Sequence, residues 1–234
     1  MAARTTRTVP SAGPQATATA RLRKKDQTRQ QLINATIDAI SVIGFADLTL
    51  SEVSRRAAVS RGLVNFHFAS KDRLLVETLA FLTNEYLQFW QRAVEKAEDG
   101  PAAKLLALVR NDFHPKVCNR KKIAVWFAFR GEAKSRPTYI EVCTRADEEF
   151  DRTLAALCAD LVAKGAYSLD PASVAIALRA MIEGLWLEFL MSPQNLTREE
   201  ALAVTGTFLT AMFPRHFARC DFEQLPPESS EEEA

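Results

Sequence analysis

The sequence predicts an all-α protein, and three observations support that prediction. Glycine is scarce, with 8 among 234 residues, and aromatic residues make up 9% of the chain, a composition that favours helices over a turn-rich β fold. Apolar residues recur at helical spacing in one segment after another. Proline, glycine and helix-capping residues interrupt these segments, as they do at helix ends. We therefore expect a small helical domain followed by a larger one.

The first twenty residues are rich in Thr, Ala and Pro, and they contain Arg4 and Arg7 but no acidic residue. This composition predicts disorder. With the basic residues that follow, the segment makes a basic arm over residues 1–23. Such an arm either contacts DNA phosphates or the minor groove, or serves only as a solubilising tail. An acid-free start with arginine is also compatible with a transit peptide.

The first helix is expected from about Lys24 to Ile43, because eight apolar or small residues recur there at helical spacing. Gly44 follows as the residue that ends the helix. Phe45 and Leu48 then supply apolar side chains for a small three-helix core. This helix should be the scaffold on which the next two helices pack.

The stretch from Thr49 to Leu75 contains three helix starts in quick succession. Thr49 followed by Glu52 has the spacing of a capping box, in which each side chain bonds the other residue's backbone N–H. Ser60 is suited to cap a short helix that ends at about His67, and Ser70 to cap the helix after it. Two short helices across a tight turn form a helix-turn-helix, whose second helix enters the major groove of DNA.

The same stretch closely resembles the DNA-binding signature of TetR-type repressors. The residues that carry the resemblance are Thr49, Val53, Ala57, Val59, Ser60, Gly62, Phe66, His67, Phe68, Lys71 and Leu74. Ser54 and Ala58 stand where that family usually has Ala and Gly. Phe66 stands near the family's usual Tyr, so a hydroxyl that could bond a phosphate is absent.

The resemblance implies DNA contacts for ten residues: Thr49, Arg55, Ser60, Arg61, Gly62, Leu63, Asn65, Phe66, His67 and Lys71. Positions 49, 66, 67 and 71 match family positions that approach phosphates. Positions 61, 62, 63 and 65 lie on the recognition helix, where Arg61 suits guanine and Asn65 suits adenine. His67 as a catalytic base is a poor alternative, because no nucleophile or metal partner is spaced with it.

The rest of the chain is predicted to be helical up to a Pro- and Glu-rich tail. The expected helices span about residues 71–98, 102–112, 121–133, 138–164, 171–191 and 197–213. Asp170 with Pro171, and Thr197 with Glu200, mark two of their starts. The predicted domains are a DNA-binding domain over 24–70, a ligand-binding and dimerisation domain over 71–216, and a disordered acidic tail over 217–234.

The last two predicted helices are apolar over a wider arc than one domain face normally requires. In the TetR family the corresponding pair forms a four-helix dimer interface, so the resemblance implies a homodimer. A dimer would also suit a two-fold, pseudo-palindromic operator. The alternative is that these residues are the ordinary core of a monomer.

Two further segments, 123–129 and 181–187, resemble the C-terminal domain of choline-responsive repressors of the BetI type. That resemblance implies a small-molecule effector, with choline and other quaternary amines as candidates. Aromatic cages beside a carboxylate hold such cations. The candidate residues are Trp90, Trp126, Phe129, Tyr139, Glu183, Trp186 and Phe189, with Glu188 as a second candidate counter-charge. The alternative for each aromatic residue is the hydrophobic core.

The net charge of +1 conceals an asymmetry, because residues 1–75 carry +7 (12 Lys and Arg, 5 Asp and Glu) and the remainder carries −6 (18 and 24). A basic end on an acidic remainder is typical of a protein that binds DNA phosphates at one end. The four cysteines lack the spacing of a zinc site or a disulfide framework. No apolar run is long enough to span a membrane.

The sequence therefore predicts a cytoplasmic, homodimeric, ligand-responsive DNA-binding regulator without a cofactor, metal or catalytic residue. Double-stranded DNA and a small-molecule effector are its expected partners. An enzyme is disfavoured, because the chain has no glycine-rich phosphate loop, triad or metal cluster. Two alternatives remain: a regulator of another metabolic or efflux operon with a non-cationic ligand, and a purely helical protein-interaction module.

Overall fold

The computed structural model describes residues 14–192 and 194–222, with side chains described from residue 22 onward. This part of the chain contains only helices and their connections, which confirms the all-α prediction. The α-helices are α1 Pro14–Ile43, α2 Leu50–Arg56, α3 Arg61–His67, α4 Lys71–Lys96, α5 Pro101–Asp112, α6 Arg120–Ala133, α7 Pro137–Gly165, α8 Pro171–Met191 and α9 Arg198–Met212. A short 3-10 helix, Arg219–Phe222, follows.

The predicted helix ends are set by the residues that the sequence indicated. Gly44 adopts φ +81°, and its N–H bonds the Ile40 carbonyl, so it ends α1 in the left-handed conformation that glycine favours. The side chains of Ser60, Ser70 and Asp170 each accept a backbone N–H in the first turn of α3, α4 and α8. These local bonds satisfy donors that the helices themselves leave open.

Of the two predicted capping boxes, the one at α9 is complete and the one at α2 is not. Thr197 and Glu200 bond each other's backbone N–H at 3.1 Å and 2.8 Å. Thr49 accepts the Glu52 N–H at 3.2 Å, but the Glu52 carboxylate bonds Arg55 and Arg56 instead. The reciprocal half of that prediction was wrong, because two charge-assisted bonds outcompete a single neutral N–H.

Both ends of the described chain differ from the sequence prediction. α1 begins at Pro14 and not near Lys24, so residues 14–23 of the predicted arm are helical. A Pro in the first position and good helix formers after it extend a helix that packing has already nucleated. At the other end, Phe217 and Phe222 are buried, so the predicted tail starts later than residue 217. Residues 1–13 and 223–234 lie outside the described residues.

The C-terminal turn is held by close packing against α9. A Cβ placed on Gly206 of α9 would lie 2.4 Å from the Phe222 ring, so only glycine leaves room for that ring. Arg110 of α5 also donates to the Asp221 carbonyl at 2.6 Å. The chain is therefore packed against the rest of the fold as far as Phe222.

The molecule has two hydrophobic cores, and α4 contributes to both. The first core joins α1–α3 with Leu74, Leu75 and Leu79 of α4; we call α1–α3 and this start of α4 the head. The second core joins Trp90 of α4 to α5–α9; we call the remaining chain the body. Helix α6 also bridges them, since Phe129 reaches the head core and Ile123 the body core.

Candidate functional sites

The recognition helix α3 is anchored by one buried side chain and exposes the opposite face. Val64 is fully buried in the head core, and Phe68 at the end of the helix is buried beside it. Arg61 and Asn65 are exposed, and Phe66 is 70% exposed although it is a large apolar residue. An apolar ring left exposed beside polar side chains indicates a surface that another molecule covers.

All ten residues predicted to contact DNA lie on α2, on α3, or at their caps and the start of α4. Their side chains are exposed or half-buried, as a contact surface requires. Several of them also have structural roles. Thr49 and Ser60 cap helices through their hydroxyl oxygens, and Arg55 pairs with Glu52. The Glu52 carboxylate accepts side-chain hydrogen bonds from both Arg55 and Arg56, and these bonds lower the pKa of Glu52 to about 2.

His67 lies at the end of α3, where its surroundings disfavour the charged form of its ring. Burial lowers its pKa below the usual value, and the charges of Lys25 and Arg29 lower it further. Its ring contacts Phe66 edge-on, with the ring centroids 5.3 Å apart. Its Nδ1 is buried without a hydrogen-bond partner among the described residues.

The structure adds two basic residues to this surface that sequence reasoning had not placed there. Lys25 of α1 lies 6.0 Å from the Phe66 ring centroid, and the Arg29 guanidinium lies 5.3 Å from that of Phe68. Lys25 lies just after the basic arm predicted over residues 1–23, at the start of the predicted first helix. Because α1 is helical there, Lys25 is held beside the recognition helix.

A separate cavity lies inside the body, between α4, the end of α5, α6, α7 and α8. The empty space between its walls, including the part open to solvent, is about 750 Å³. Its lining is Leu82, Glu85, Tyr86, Phe89, Asp112, Lys116, Val117, Lys122, Ile123, Trp126, Phe150, Arg179, Ile182, Glu183 and Trp186. A mainly apolar cavity with a few polar groups is typical of a small-molecule site.

Asp112 is the polar centre of this cavity. Its side chain is fully buried, and its Oδ1 accepts a hydrogen bond of 2.7 Å from the Tyr86 hydroxyl. The Trp186 indole donates to the Asp112 carbonyl at 2.9 Å. Oδ2 is buried with no hydrogen-bond partner among the described residues. Burial raises the pKa of Asp112 to about 7, although the Tyr86 hydrogen bond and Arg179 act in the opposite direction.

Aromatic rings line the same cavity as Asp112. The Tyr86 ring lies 5.9 Å from the rings of both Phe150 and Trp186, edge-on to the latter. Trp126 and Phe89 line the cavity as well. The faces of such rings carry the negative part of the aromatic quadrupole, which attracts a cation.

The one arginine on the lining is already paired. Arg179 lies 4.6 Å from the Phe150 ring centroid. Its nitrogens lie 2.9 Å, 3.0 Å and 3.3 Å from carboxylate oxygens of Asp147, Asp151 and Glu183. Glu183 also pairs with Arg130 at 3.2 Å. The carboxylate that the sequence proposed as a counter-charge is therefore shared by two arginines, whereas Asp112 has no ion-pair partner within the described residues.

The structure brings together three of the seven residues predicted to bind ligand. Trp126, Glu183 and Trp186 line the cavity, whereas the other four lie elsewhere. Phe129 and Tyr139 pack edge-on at 5.3 Å in the head core. Both are core residues, which is the alternative that the sequence left open for each aromatic side chain.

The remaining two predicted residues belong to the body core. Trp90 packs edge-on against Phe150 at 5.7 Å, behind the cavity wall. Phe189 lies 5.0 Å from the Arg120 guanidinium. Glu188, the second candidate counter-charge, is exposed and does not line the cavity.

Sequence reasoning missed Tyr86, Phe150 and Asp112 as cavity residues. The sequence does mark Asp112 as unusual, because an acidic residue in the last turn of a helix interacts unfavourably with the helix dipole. Tyr86 and Phe150 had none, because each also fits the apolar face of its own helix. Within residues 14–192 and 194–222, no cluster of three potential metal ligands occurs and no helix is suited to cross a membrane.

Helices α8 and α9 leave apolar side chains exposed on the surface of the single chain. Ile176 and Met191 of α8 are 70% and 71% exposed, and Leu187 and Val204 are 44% and 47% exposed. Exposed apolar residues gathered on two adjacent helices are typical of an interface. They lie on the helix pair that the sequence predicted to form one.

Two family models match the chain. Residues 32–78 match the bacterial regulatory proteins of the tetR family, and residues 101–214 match the C-terminal part of BetI-type transcriptional repressors. The HTH-type transcriptional regulator BetI of Pectobacterium carotovorum is 31% identical over 191 residues, which are 80% of this chain and 94% of that protein.

Solved structures share the fold. A putative transcriptional regulator from Pseudomonas aeruginosa PAO1 superposes with a TM-score of 0.71 at 25% identity, over 82% of this chain and 95% of that one. A putative transcriptional regulator from Saccharomonospora viridis, solved in complex with choline, also gives a TM-score of 0.71. It is 17% identical and covers 79% of this chain and 96% of that one, so it shows likeness of fold alone.

Proposed function

The chain belongs to the TetR family of transcriptional regulators, with a C-terminal part of the BetI type, and we propose that it is a dimeric repressor released from its operator by a quaternary amine. The observation that carries the effector class is the Asp112 carboxyl group, which belongs to the lining of a cavity rich in aromatic residues and has a buried oxygen without a hydrogen-bond partner among the described residues. Burying an isolated carboxylate is costly unless a positive charge joins it.

The lining favours a cation without N–H groups. A primary ammonium has three donors and needs three acceptors once it is removed from water. Of the cavity's acidic groups, Glu183 is paired with two arginines and Glu85 with Lys122 at 2.6 Å, and among the described residues Asp112 Oδ2 is the buried carboxyl oxygen that has no partner. A quaternary ammonium needs no acceptor, only negative potential and ring faces. The choline found in the Saccharomonospora viridis regulator supports the same class.

A non-cationic effector is the second candidate, and two lysines on the lining favour it. Lys116 and Lys122 would attract a carboxylate or phosphate group. Lys122 is already paired with Glu85, and Lys116 is exposed near the Phe89 ring at 6.0 Å. Because the buried end of the cavity holds an acid and not a base, we place this candidate second.

For the head, we propose that α3 contacts the bases of the operator, and that residues next to α3 bind the phosphates of the DNA backbone. The exposed side chains of Arg61 and Asn65 suit bidentate contacts with guanine and adenine. Lys71 lies in the first turn of α4, where the helix dipole adds positive potential for a phosphate. Two heads joined through α8 and α9 would read two half-sites of a pseudo-palindromic operator.

Ligand binding in the body can reach the head through the helices that the two cores share. α4 carries Tyr86 on the cavity and Leu75 in the head core, and α6 carries Trp126 on the cavity and Phe129 in the head core. A ligand that fits one arrangement of these helices better shifts the population toward it. Operator affinity then falls by the ratio of the ligand's affinities for the two arrangements.

The decisive experiment is fluorescence anisotropy on DNA from just upstream of the protein's own gene, with and without choline. We expect tight binding, release by choline, and little release by ethanolamine. Binding that no quaternary amine reverses would discard the effector class and retain the regulator.

Trp126→Ala tests the aromatic wall of the cavity. We expect choline to bind about tenfold more weakly or worse, because a ring face at a desolvated cation contributes up to about 2 kcal/mol. Binding should be measured by isothermal titration calorimetry, together with operator affinity in the absence of ligand. Trp90→Phe is the matched control, since Trp90 is buried outside the cavity lining. Equal affinities for choline in the wild type and in Trp126→Ala would rule out Trp126 as a wall.

A further inference from the structure

The carboxyl group of Asp112 has surroundings that no ordinary structural role explains. It is fully buried, one oxygen bonds the Tyr86 hydroxyl, and the other has no partner among the described residues. A carboxylate buried for structural reasons is normally held by a cation or by several N–H groups. Here the residue belongs to the lining of a cavity, and no described protein group bonds its second oxygen.

The charged groups that face Asp112 from the neighbouring helices do not supply that cation. On α4, Tyr86 is neutral and Glu85 is negative, and on α6, Lys122 is bound by Glu85. On α8, Arg179 is bound by Glu183 and by Asp147 and Asp151 of α7. Lys116 and His114 lie in the connection between α5 and α6, where Lys116 is exposed to water.

With Arg179 and Lys122 paired to other carboxylates and Lys116 exposed to water, the empty pocket favours the uncharged carboxyl group of Asp112, because an ionised one would lack both water and a counter-ion. Burial raises the pKa of Asp112 in the same direction. A quaternary ammonium keeps its charge at every pH, so its arrival reverses the preference. The ionised form then gains a partner that the protein itself does not provide.

We propose that Asp112 is protonated in the empty cavity and gives up its proton when a quaternary cation binds, so that each bound cation releases one proton to solvent. The balance is simple: a neutral carboxylic acid and a free cation become a carboxylate–cation pair and one H⁺, which the buffer accepts. No bond other than O–H is broken. The inference rests on the proposed function in so far as the effector is a quaternary cation.

One consequence is that effector binding depends on pH. Below the pH at which Asp112 ionises in the empty protein, each unit of acidification should weaken choline binding about tenfold, because one proton must leave for each cation bound. Above that pH, affinity should be constant. A regulator built in this way senses its cation more weakly in acid.

The test uses isothermal titration calorimetry of the full chain with choline, in phosphate and in Mes at pH 6, and in borate and in Tris at pH 8.5. The two buffers at each pH have different heats of protonation, so the difference between their binding heats counts the protons released. We expect close to one proton per choline at pH 6 and close to none at pH 8.5. In Asp112→Asn, choline should bind more weakly and with no proton release at either pH.

Asp160→Asn is the matched control, because Asp160 is an exposed carboxylate on α7 outside the cavity lining and should leave the proton count unchanged. Binding heats that are equal in the two buffers at pH 6 would overturn the proton release while leaving the proposed effector intact. Failure of choline to bind in either buffer would instead overturn the effector, and the coupled release with it.

A second measurement needs no ligand. The unfolding temperatures of the wild type and of Asp112→Asn should be compared from pH 5 to pH 8. If Asp112 is protonated in the folded empty protein and ionised in the unfolded chain, the wild type loses stability relative to the variant as the pH rises. A difference that does not change with pH would show that the carboxyl group is already ionised at pH 5, which overturns the inference.

Discussion

Single residues determine the chemistry of both candidate sites. In the head, α3 exposes Arg61, Asn65 and Phe66 because one side chain, Val64, anchors the opposite face. In the body, Asp112 contributes to a largely apolar cavity the one buried carboxyl oxygen that has no hydrogen-bond partner among the described residues. Neither site depends on a long list of contacts, so individual substitutions should have separable effects.

Asn65→Ala and Lys71→Ala should weaken DNA binding in different ways. Loss of the Asn65 amide should cost about 1–3 kcal/mol on the best operator and relax the preference at one base pair. Loss of Lys71 should weaken binding to all sequences alike and reduce the salt dependence by about one phosphate contact. Anisotropy on the operator and on single-base variants, over a series of salt concentrations, distinguishes them. Equal losses on every sequence for both variants would remove the assigned roles.

The turn between α2 and α3 contains a residue whose backbone conformation is unfavourable for its side chain. Ala58 adopts φ +51° there, in the left-handed region that favours glycine. The TetR signature usually has glycine at this position, and here an alanine holds the left-handed conformation. The turn forms because α2 and α3 pack on α1 through Val53, Ala57 and Val64.

Ala58→Gly should therefore stabilise the protein, by about 1 kcal/mol, because it removes the strain of a Cβ in the left-handed region. Ala57→Gly is the matched control: the neighbouring residue is buried with φ −75°, so loss of its methyl group should destabilise the fold. Urea unfolding of the two variants measures both changes. Destabilisation by Ala58→Gly would mean that the strained turn costs less than the added freedom of the unfolded chain.

On the scale of the whole molecule, the main feature is that the two hydrophobic cores are separate and that the basic and acidic parts of the chain are separate as well. The basic surface lies on the head, and the acidic remainder contains the cavity and the exposed apolar faces of α8 and α9. An operator is read by two heads, so the affinity for DNA depends on residues that never approach it.

Ile176→Asp with Leu187→Asp should convert a dimer into a monomer, because two charges would be buried in an apolar interface. Operator affinity should fall by about 100-fold or more, since each head then binds half a site alone. Sedimentation velocity and anisotropy measure the two effects. Ile140→Asp is the control, as Ile140 is 52% exposed on α7 and lies outside the helix pair. A double variant that remains dimeric would place the interface elsewhere.

The sequence by itself determined the helices, most of their ends and the helix-turn-helix. Those features depend on signals only a few residues apart: a glycine after Ile43, a serine before Arg61, and Thr197 with Glu200. The extension of α1 back to Pro14 escaped prediction, because a helix once nucleated propagates into residues with no apolar pattern.

Only the tertiary structure decided which aromatic residues meet at the cavity. Tyr86 and Asp112 are 26 residues apart, and Asp112 and Trp186 are 74 apart, yet the three are joined by hydrogen bonds. Nothing in local spacing separates Trp186 on the cavity from Phe129 and Tyr139 in the head core, since all three lie on the buried faces of their helices. The packing of distant helices, and not the pattern along any one of them, placed a carboxyl group without a counter-ion among those rings.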